Sequence, residues 1–394
     1  MPFRMASFSS FRNLEDCQLD VDAGRIFLIG ENGQGKTNFL EAVYYLCCGT
    51  SFRGPVDALI PKSAQGSARK DTEALGLGGS VSARAGFGLR GIWRESGRGD
   101  FPDENISLKV SGGQKDIRLN DKPVRDRKEL VAHCPAVIFC HEDFSFAAGD
   151  PERRRFFFDQ CAGMVFHTYI DSLRSYKRVL KQRNAALKEN ARGLLEAIDP
   201  QLARYGLELM DSRQALLEKF EAIFPGLYEE VSLLGKAVMV DYSPSWPRGS
   251  TVDGILAHLE ARRDSEILLG TTRSGPHRDR WNFFCEGDLF TETASTGQLR
   301  LVSLVLRIVQ ARIYADSAMI SGTGPRWPVL LLDDVLLELD TDKRRRFLGL
   351  LPGKDEEAQS FFTFLPGEPW TEYSGEDTII YRVADGGFKD KKRL

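Results

Sequence analysis

The segment Gly30-Glu31-Asn32-Gly33-Gln34-Gly35-Lys36-Thr37 restricts the possible folds more than any other part of the chain. It fits the pattern G-x-x-x-x-G-K-[ST], in which glycines let backbone N–H groups surround a phosphate. An apolar run of strand length (residues 25–29) enters the glycines, and residues 38–46 follow with helical spacing of their large apolar side chains. Strand, loop and helix in this order predict a phosphate-binding loop rather than a glycine-rich turn. Lys36 would reach the β- and γ-phosphates of a nucleotide, and the Thr37 hydroxyl would coordinate Mg²⁺.

A second short motif, Ser295-Thr296-Gly297-Gln298, resembles the S-G-G-Q signature of ABC-type ATPases, with Thr296 in place of a glycine. Residues 299–310 after it are long enough for a buried helix, whose N-terminal amides would bind a γ-phosphate. In that class, the P-loop of one subunit and the signature of another close over the same ATP. One copy of each per chain therefore implies an ATP-dependent homodimer, with Ser295, Gly297 and Gln298 acting in trans.

The segment Ser111-Gly112-Gly113-Gln114 matches the letters of the signature better than residues 295–298 do. Apolar and polar residues alternate on both sides of it, and a proline follows at position 123. This pattern predicts a hairpin turn, which cannot present helix amides to a phosphate. The later copy is therefore predicted to be the signature.

Four aliphatic residues run directly into two carboxylates at positions 329–334. This pattern predicts a buried parallel strand that delivers Asp333 and Asp334 to its C-terminal edge. Asp333 would hold Mg²⁺, and Asp334 would polarise the attacking water. ABC-type ATPases usually carry a glutamate at the second position, so the shorter aspartate predicts slow turnover.

Length, apolar runs and cysteines limit the class of protein. With 394 residues the chain exceeds the usual size of a single core, which predicts two lobes. No apolar stretch approaches the ~18 residues of a membrane span, and the N-terminus lacks a signal-peptide pattern. Seven scattered cysteines without C-x-x-C spacing favour a reducing compartment and argue against zinc. We therefore expect a cytoplasmic protein without membrane contact, whose metal is the Mg²⁺ of the nucleotide.

A basic segment lies between the two nucleotide motifs. Residues 151–192 contain ten Lys or Arg against four Asp or Glu, and apolar residues at heptad-like spacing continue to residue 223. We expect a helical lobe on a short antiparallel hairpin, with a helix break near Asp199-Pro200. An exposed basic face would contact DNA or would be merely solvated. Its members would be Arg174, Lys177, Arg178, Lys181 and Arg183.

These motifs predict an α/β fold: an ABC-type P-loop ATPase head, with a mixed sheet and flanking helices, that carries an inserted helical lobe. Residues 1–149 would form the first half of the ATPase core, residues 150–268 the helical lobe, and residues 269–394 the second half with signature and Asp-Asp strand. The basic C-terminal residues 389–394 are expected to be disordered.

Taken together, the motifs resemble the RecF family, bacterial recombination mediators related to SMC-type ATPases, along nearly the full length. The motifs that carry this resemblance are Ser10-Phe11-Arg12-Asn13, Gly33-Gln34-Gly35-Lys36-Thr37-Asn38, Ser51-Phe52-Arg53, Glu142-Asp143, Pro151-Glu152-Arg153-Arg154-Arg155-Phe156, Gln182-Arg183-Asn184, Gly275-Pro276-His277-Arg278-Asp279, Asp333-Asp334-Val335 and Glu338-Leu339-Asp340. The chain departs from the family at His141, in place of a proline, and at Leu337, in place of a serine.

The resemblance implies an ATP-dependent dimer that acts at gapped or single-stranded DNA and its junctions with duplex. Such a protein helps to load RecA together with RecO and RecR and supports the SOS response, with slow, DNA-stimulated ATP turnover. Asn38 would join the ATP site, and Asp340 would serve the loop that crosses the dimer interface. Arg12 would contact the nucleotide or form a structural ion pair, and residues 275–279 would be functional or a simple turn.

Three other functions compete with this interpretation. A transporter ATPase subunit rarely carries a basic insert of this length, and a long-armed SMC or SbcC-type nuclease partner needs a far longer coiled coil. The main alternative is a structural DNA-binding protein of the SMC class that binds ATP without significant hydrolysis.

Overall fold

A computed structural model describes residues 3–53, 86–93, 103–320, 326–353, 356 and 358–394. The chain divides into two compact units. The first comprises residues 1–141, 314–340 and 351–394, and the second comprises residues 142–313 and 341–350. This grouping assigns residues 269–313, including the signature motif, to the second unit, whereas the sequence-based division gives them to the ATPase core.

The strands of the described residues are β1 (Phe3–Ser9), β2 (Cys17–Asp20), β3 (Arg25–Ile29), β4 (Gly86–Trp93), β5 (Glu104–Ser111), β6 (Gln114–Leu119), β7 (Lys122–Pro123), β8 (Ala136–Phe139), β9 (Val238–Ser243), β10 (Arg280–Cys285), β11 (Asp288–Leu289), β12 (Val329–Leu332), β13 (Ser360–Phe364), β14 (Thr378–Ala384) and β15 (Gly387–Arg393). The helices are α1 (Lys36–Cys48), α2 (Arg127–His133), α3 (Phe144–Ala148), α4 (Pro151–Val165), α5 (Tyr169–Lys188), α6 (Arg192–Ser232), α7 (Val252–Leu269), α8 (Phe290–Thr293), α9 (Thr296–Ile320) and α10 (Thr341–Gly349). No helix in these described ranges is long and apolar enough to cross a membrane.

The first unit contains a largely parallel sheet and an antiparallel one. In the described residues, the parallel sheet has the order β15-β14-β3-β13-β12-β8, in which only β15 runs antiparallel to its neighbour. Its inner strands β3, β12 and β13 are almost entirely buried because both faces are covered, and β12 is apolar throughout, as the run at 329–332 predicts. The antiparallel sheet has the order β2-β1-β4-β5-β6-β7. Ser111 pairs with Gln114 in its β5–β6 hairpin, which confirms the predicted turn at the false signature.

The C-terminal basic residues form strand β15, so the prediction of a disordered tail is wrong. The strand pairs antiparallel with β14 at the edge of the parallel sheet. Lys391 Nζ lies 2.5 Å from Asp20 Oδ2, and Arg393 lies 3.6 Å from Asp377 Oδ1. Backbone pairing holds the strand in place, and the ion pairs compensate its positive charge. The acidic partners lie far away in sequence, so charge composition alone does not reveal them.

Two long antiparallel helices, α5 and α6, dominate the second unit, beside a sheet with the order β11-β10-β9 in the described residues. Helix α6 continues through Pro200 and Pro225, so the predicted break at Asp199-Pro200 is wrong. A proline inside a helix removes one backbone hydrogen bond. Packing outweighs that loss here, because Leu195 and Leu202 on either side of Pro200 are fully buried.

A buried arginine explains why α6 stays helical at this point. Arg183 on α5 is fully buried, and its Nε donates to Asp199 Oδ1 on α6 at 2.6 Å. Its Nη1 donates to Glu266 Oε2 at 2.6 Å and to the Thr272 hydroxyl at 2.9 Å. One guanidinium group therefore fixes α5, α6, α7 and the following loop at a single point.

We expect Arg183→Met to destabilise the protein by about 3–5 kcal/mol, because it removes the cation that lies between the buried carboxylates of Asp199 and Glu266. The free energy of unfolding in urea, followed by circular dichroism, measures the effect. Arg178→Met is the matched control: Arg178 is an exposed arginine of the same helix, and its loss should change stability by at most about 0.5 kcal/mol. Equal stabilities of the two variants would contradict this account.

Candidate functional site

The phosphate-binding loop connects β3 to α1, as its motif predicts. Gly33 and Gly35 have φ angles of 78° and 111°, which side-chain-bearing residues rarely adopt. A Cβ atom on Gly30 would lie 2.3 Å from the carbonyl oxygen of Val383, so this position has no room for a side chain. Glu31 and Asn32 are exposed at the outer bend of the loop. The glycines are therefore required by backbone conformation and by close packing.

Neighbouring segments hold the loop in place from both sides. The side chain of Asn13 donates to the carbonyl of Gly33 at 3.2 Å, and that of Asn38 donates to Asn13 Oδ1 at 2.6 Å. On the other side, Gln34 Oε1 accepts from the backbone N–H of Asp385 at 2.6 Å. These contacts make the loop a preformed cradle.

The N-terminus of α1 has the properties of an anion site. Gly35 is its N-cap, no side chain caps the helix, and no acidic residue lies in its first turn. The first amides of a helix lack partners within the helix and carry partial positive charge. Lys36 is buried, and its Nζ donates to the carbonyl oxygens of Gly30 at 2.6 Å and Glu31 at 3.2 Å. The lysine therefore lies across the loop where a phosphate would be held.

Arg12 forms an ion pair instead of standing free beside the loop. Its Nε and Nη2 lie 3.1 and 2.8 Å from the carboxylate oxygens of Glu41, which is fully buried on α1. The Ser51 hydroxyl donates to the same carboxylate at 2.5 Å, and Arg53 lies 3.5 Å from it. Glu41 was missed by the sequence analysis, although a single acid in the apolar run of α1 is a detectable signal. The structural ion pair proposed for Arg12 is confirmed, and a nucleotide contact by the same residue stays a prediction.

Asp333 and Asp334 follow β12 and meet Thr37 at the same edge of the sheet. The Thr37 hydroxyl donates to Asp333 Oδ1 at 2.9 Å. Burial, reinforced by the adjacent charge of Asp334, raises the pKa of Asp333 from 3.8 to about 6. Asp334 has a left-handed backbone with a φ of 52°, an uncommon and costly conformation for a residue other than glycine.

Thr363 on β13 joins the two carboxylates. Its hydroxyl oxygen lies 2.8 Å from Asp334 Oδ1 and 3.3 Å from Asp333 Oδ1, and it accepts from the backbone N–H of Asp334 at 2.8 Å. A hydroxyl carries one proton, so it can donate to only one of the two carboxylates at a time.

The residues present fit a nucleotide with its magnesium ion. Uncapped helix amides and Lys36 suit a polyphosphate, and a threonine hydroxyl beside a carboxylate is a donor set that Mg²⁺ prefers. A cation beside Asp333 would favour its deprotonated form, and the positive charge would offset the repulsion between Asp333 and Asp334.

The signature motif lies in the second unit and opens a helix, as predicted. Ser295 precedes α9, and its hydroxyl accepts from the backbone N–H of Gln298 at 3.3 Å. In return, Gln298 Oε1 accepts from the backbone N–H of Ser295 at 2.7 Å, which is a capping box. Ser295 and Gly297 are exposed, and apart from the adjoining residues and backbone of the same helix, no atom of the described residues lies within 4 Å of a Cβ built on Gly297. The motif therefore presents an open helix end to its surroundings.

The loop after β12 is partly exposed. Leu337 is 43 % exposed, an unusual environment for leucine, and Asp340 is exposed just before α10. The role of this loop at a dimer interface stays a prediction.

The basic face of α5 contains four of the five predicted residues. Arg174, Lys177, Arg178 and Lys181 are exposed, and Arg174 lies 3.8 Å from Asp171. The prediction that Arg183 belongs to this basic face is wrong. Arg183 is fully buried in ion pairs with Asp199 and Glu266 and cannot contact nucleic acid. Its position two residues after Lys181 places it on the opposite side of the helix, which the charge pattern alone did not reveal.

A parallel sheet that ends in a P-loop and an acidic pair, together with a helix that opens on the signature motif, defines an ABC-type ATPase head. The family model described as "RecF/RecN/SMC N terminal domain" matches residues 4–372. The DNA replication and repair protein RecF of Treponema pallidum is 39 % identical over 96 % of this chain and 98 % of its own length. RecF of Natranaerobius thermophilus is 29 % identical, with coverages of 96 % and 95 %. The chain therefore belongs to the RecF family of the SMC/ABC ATPase superfamily.

Solved structures agree with this assignment. The structure described as the recombination mediator protein RecF with ATP in the RecFOR pathway superposes with a TM-score of 0.81 and 26 % identity, covering 99 % of this chain and 97 % of that one. An Smc head bound to the winged-helix domain of ScpA has a TM-score of 0.56 at 14 % identity, which shows a shared fold alone.

We expect Asp333→Asn to stabilise the metal-free protein at high pH. A carboxyl group whose pKa is raised on folding contributes stability below its unfolded pKa of 3.8, and this contribution is lost as the pH rises through about 6. The variant should exceed the wild type by up to about 3 kcal/mol at pH 8 and match it near pH 4. Urea unfolding in EDTA at both pH values tests this, and a difference that is independent of pH would contradict it.

Proposed function

We propose that this chain is an ATP-dependent DNA-binding protein of DNA replication and recombinational repair. The observation that carries the proposal is the meeting of the Thr37 hydroxyl and Asp333 beside an uncapped helix N-terminus that holds a buried lysine. Relatives that cover nearly the whole chain bear the name DNA replication and repair protein RecF, and a related solved structure contains ATP.

In this proposal the loop from Gly30 to Asn38 binds the phosphates of ATP through backbone amides, with Lys36 between the β- and γ-phosphates. Thr37 and Asp333 would hold Mg²⁺, which would supply positive charge to offset that of the phosphates. The ion pair of Arg12 with Glu41 fixes one side of α1, so that the helix amides keep their direction.

The signature motif supplies the second half of the site from a second copy of the chain. Its reciprocal hydrogen bonds between Ser295 and Gln298 fix the first turn of α9, and Gly297 leaves the helix end open to a γ-phosphate. ATP then joins two subunits, and Asp340 contributes to the loop at their interface. ATP binding in this scheme is a switch for dimerisation.

Asp334 positions the attacking water in the dimer. It is one methylene shorter than the usual glutamate, and its carboxylate accepts from Thr363 at 2.8 Å. Both features favour slow turnover, since the carboxylate must exchange the threonine for water. They equally support the second candidate, a structural DNA-binding protein without significant hydrolysis. ATP turnover measured with and without gapped DNA separates the two.

The exposed basic face of α5 would hold DNA by its phosphates, independently of sequence. Two such faces in an ATP-bound dimer form a bivalent site, which raises apparent affinity without new contacts. The proposed setting is the cytoplasm, at single-stranded gaps and their duplex junctions, where the protein would assist RecO and RecR in loading RecA and support the SOS response.

We predict that ATP converts monomer to dimer and that Ser295→Arg abolishes this conversion while leaving ATP binding intact. The arginine would fill the space that the partner's γ-phosphate needs. Sedimentation with ATP, with ADP and without nucleotide measures the change, and Ser317→Arg, farther along the same helix, is a control for the added charge. A Ser295→Arg variant that still dimerises with ATP would refute the trans arrangement.

A second prediction concerns the basic face of α5. Reversal of Arg178 and Lys181 to Glu should weaken DNA binding at least about tenfold and reduce the slope of log K against log salt by about 2. ATP binding should not change. Reversal of Lys236 and Arg345, two exposed basic residues of the same unit outside α5, is the control. If the α5 variant behaves like this control, the face is merely solvated.

A further inference from the structure

An open cleft in the second unit has an arginine-rich lining that neither the ATP site nor the face of α5 accounts for. Its volume is about 450 Å³, and its lining consists of Ser243, Pro244, Ser245, Arg273, Arg278 and Arg280. It lies where β9 ends and β10 begins, since Ser243 pairs with Arg280 across the two strands. All three arginines are exposed.

One wall of the cleft is formed by the loop of residues 272–279, which has both buried and exposed side chains. Thr272, Ser274 and Asp279 are buried, whereas Arg273 and Arg278 between them are exposed. The Thr272 backbone N–H and hydroxyl donate to Asn184 Oδ1 at 2.8 and 2.7 Å. The loop is thus fastened to the helices at one end.

Asp279 fastens the other end of the loop. Its carboxylate accepts from Arg213 Nη1 at 2.7 Å, the Tyr242 hydroxyl at 2.5 Å and the backbone N–H of Ser245 at 2.7 Å. Arg278 and Arg280 flank this buried carboxylate in sequence, so their backbones are fixed while their side chains remain exposed.

Gly275 provides the bend between these two ends. Its φ angle is 129°, and a Cβ atom would lie 2.6 Å from the Tyr176 hydroxyl. The next turn is closed by the backbone N–H of Arg278, which donates to the carbonyl of Gly275 at 2.7 Å. Residues 275–279 therefore adopt one defined conformation, which a simple surface connection does not need.

The three arginines of the cleft form no ion pairs with acidic residues in the described part of the chain. Among the described residues, no carboxylate lies within 4.0 Å of the guanidinium groups of Arg273, Arg278 or Arg280. Asp279 is occupied by its three donors, and Asp241 beside the cleft accepts from the Ser243 hydroxyl at 2.6 Å. Neighbouring cations with no acid between them repel each other, so this arrangement costs stability in the absence of an anion.

Titratable neighbours respond to this positive charge. Burial lowers the pKa of Arg154; the charge of Asp150 raises this pKa, and the charge of Arg280 lowers it. Burial lowers the pKa of His277 to about 4, with Arg278 and Arg155 acting in the same direction. His277 is therefore neutral at physiological pH, and the positive charge of the cleft is carried by its arginine side chains.

We infer that this cleft binds the phosphodiester backbone of DNA. Guanidinium groups donate in pairs to phosphate oxygens, and arginines on a fixed loop lose little freedom on binding. Among the described residues, the lining contains no aromatic side chain and only one apolar residue, Pro244, so an extended polyanion fits better than a base or a free nucleotide. The inference rests on the proposed DNA-binding function and adds a second, more rigid contact to it.

The buried side of α5 carries the loop of the cleft. The Tyr176 hydroxyl on α5 lies 2.8 Å from His277 Nδ1 in the loop. Tyr176 is buried, whereas Arg174, Lys177, Arg178 and Lys181 lie on the exposed side of the helix. The cleft is therefore a DNA contact separate from the basic face of α5.

The test compares full-length wild type with the variant Arg273→Gln/Arg278→Gln/Arg280→Gln. A fluorescent gapped duplex is titrated with each protein at several salt concentrations in the presence of ATP and Mg²⁺. We expect binding to weaken about tenfold or more and the salt slope to fall by about 2–3, since each lost phosphate contact contributes about 0.9. ATP binding and ATP-dependent sedimentation should be unchanged, and thermal stability should be equal or higher because the repulsion is relieved.

Arg204→Gln/Arg262→Gln/Arg345→Gln is the matched control, because it removes the same charge from exposed positions of the same unit. It should change affinity less than about twofold. Wild-type affinity and salt slope in the cleft variant would overturn this inference and leave the DNA-binding proposal standing. Failure of the wild type to bind DNA would overturn both. Replacement of the three arginines by lysine should restore part of the affinity, since charge returns without the paired donors.

Discussion

The hydrogen bond from Thr37 to Asp333 connects the parts of the first unit on which the nucleotide chemistry depends. Thr37 follows β3, Asp333 follows β12, and β13 lies between these strands with Thr363 at the same edge. Parallel strands bring their C-terminal ends together, so three residues from distant parts of the sequence meet without any long loop. The cost is visible in the raised pKa of Asp333 and in the left-handed backbone of Asp334. A bound cation and phosphate would relieve that cost and would couple nucleotide binding to stability.

In the second unit, buried arginines hold the helices and the loop before β10 in place. Arg183 and Arg213 are almost completely buried, and each contacts two carboxylates from different elements. These clusters fix α5, α6, α7 and the loop before β10. Acidic residues are used inside, and the exposed cations of α5 and of the loop give the surface a local excess of positive charge. A chain with a net charge of −3 can therefore present a locally basic surface.

The sequence predicted those features that depend on short motifs. Strand, P-loop and helix, the hairpin at residues 111–114, the helix after Ser295 and the strand before Asp333 all have local signals and are confirmed. Features set by distant partners were not predictable. Pro200 indicated a helix break, but packing from other elements overrides it, and the buried partners of Arg183 lie 16 and 83 residues away. Basic character alone likewise does not distinguish a buried arginine from an exposed one.

The central claim is that each nucleotide site needs two chains, and mixing two inactive variants tests it most directly. Lys36→Ala disables the P-loop, and Ser295→Arg disables the signature, so neither variant alone should form an ATP-dependent dimer. A mixed dimer would contain one site with the P-loop of the Ser295→Arg chain and the signature of the Lys36→Ala chain. We predict that mixing restores ATP-dependent dimers in sedimentation, each with one working site of two. A mixture that remains monomeric with ATP, under conditions in which the wild type dimerises, would contradict the account.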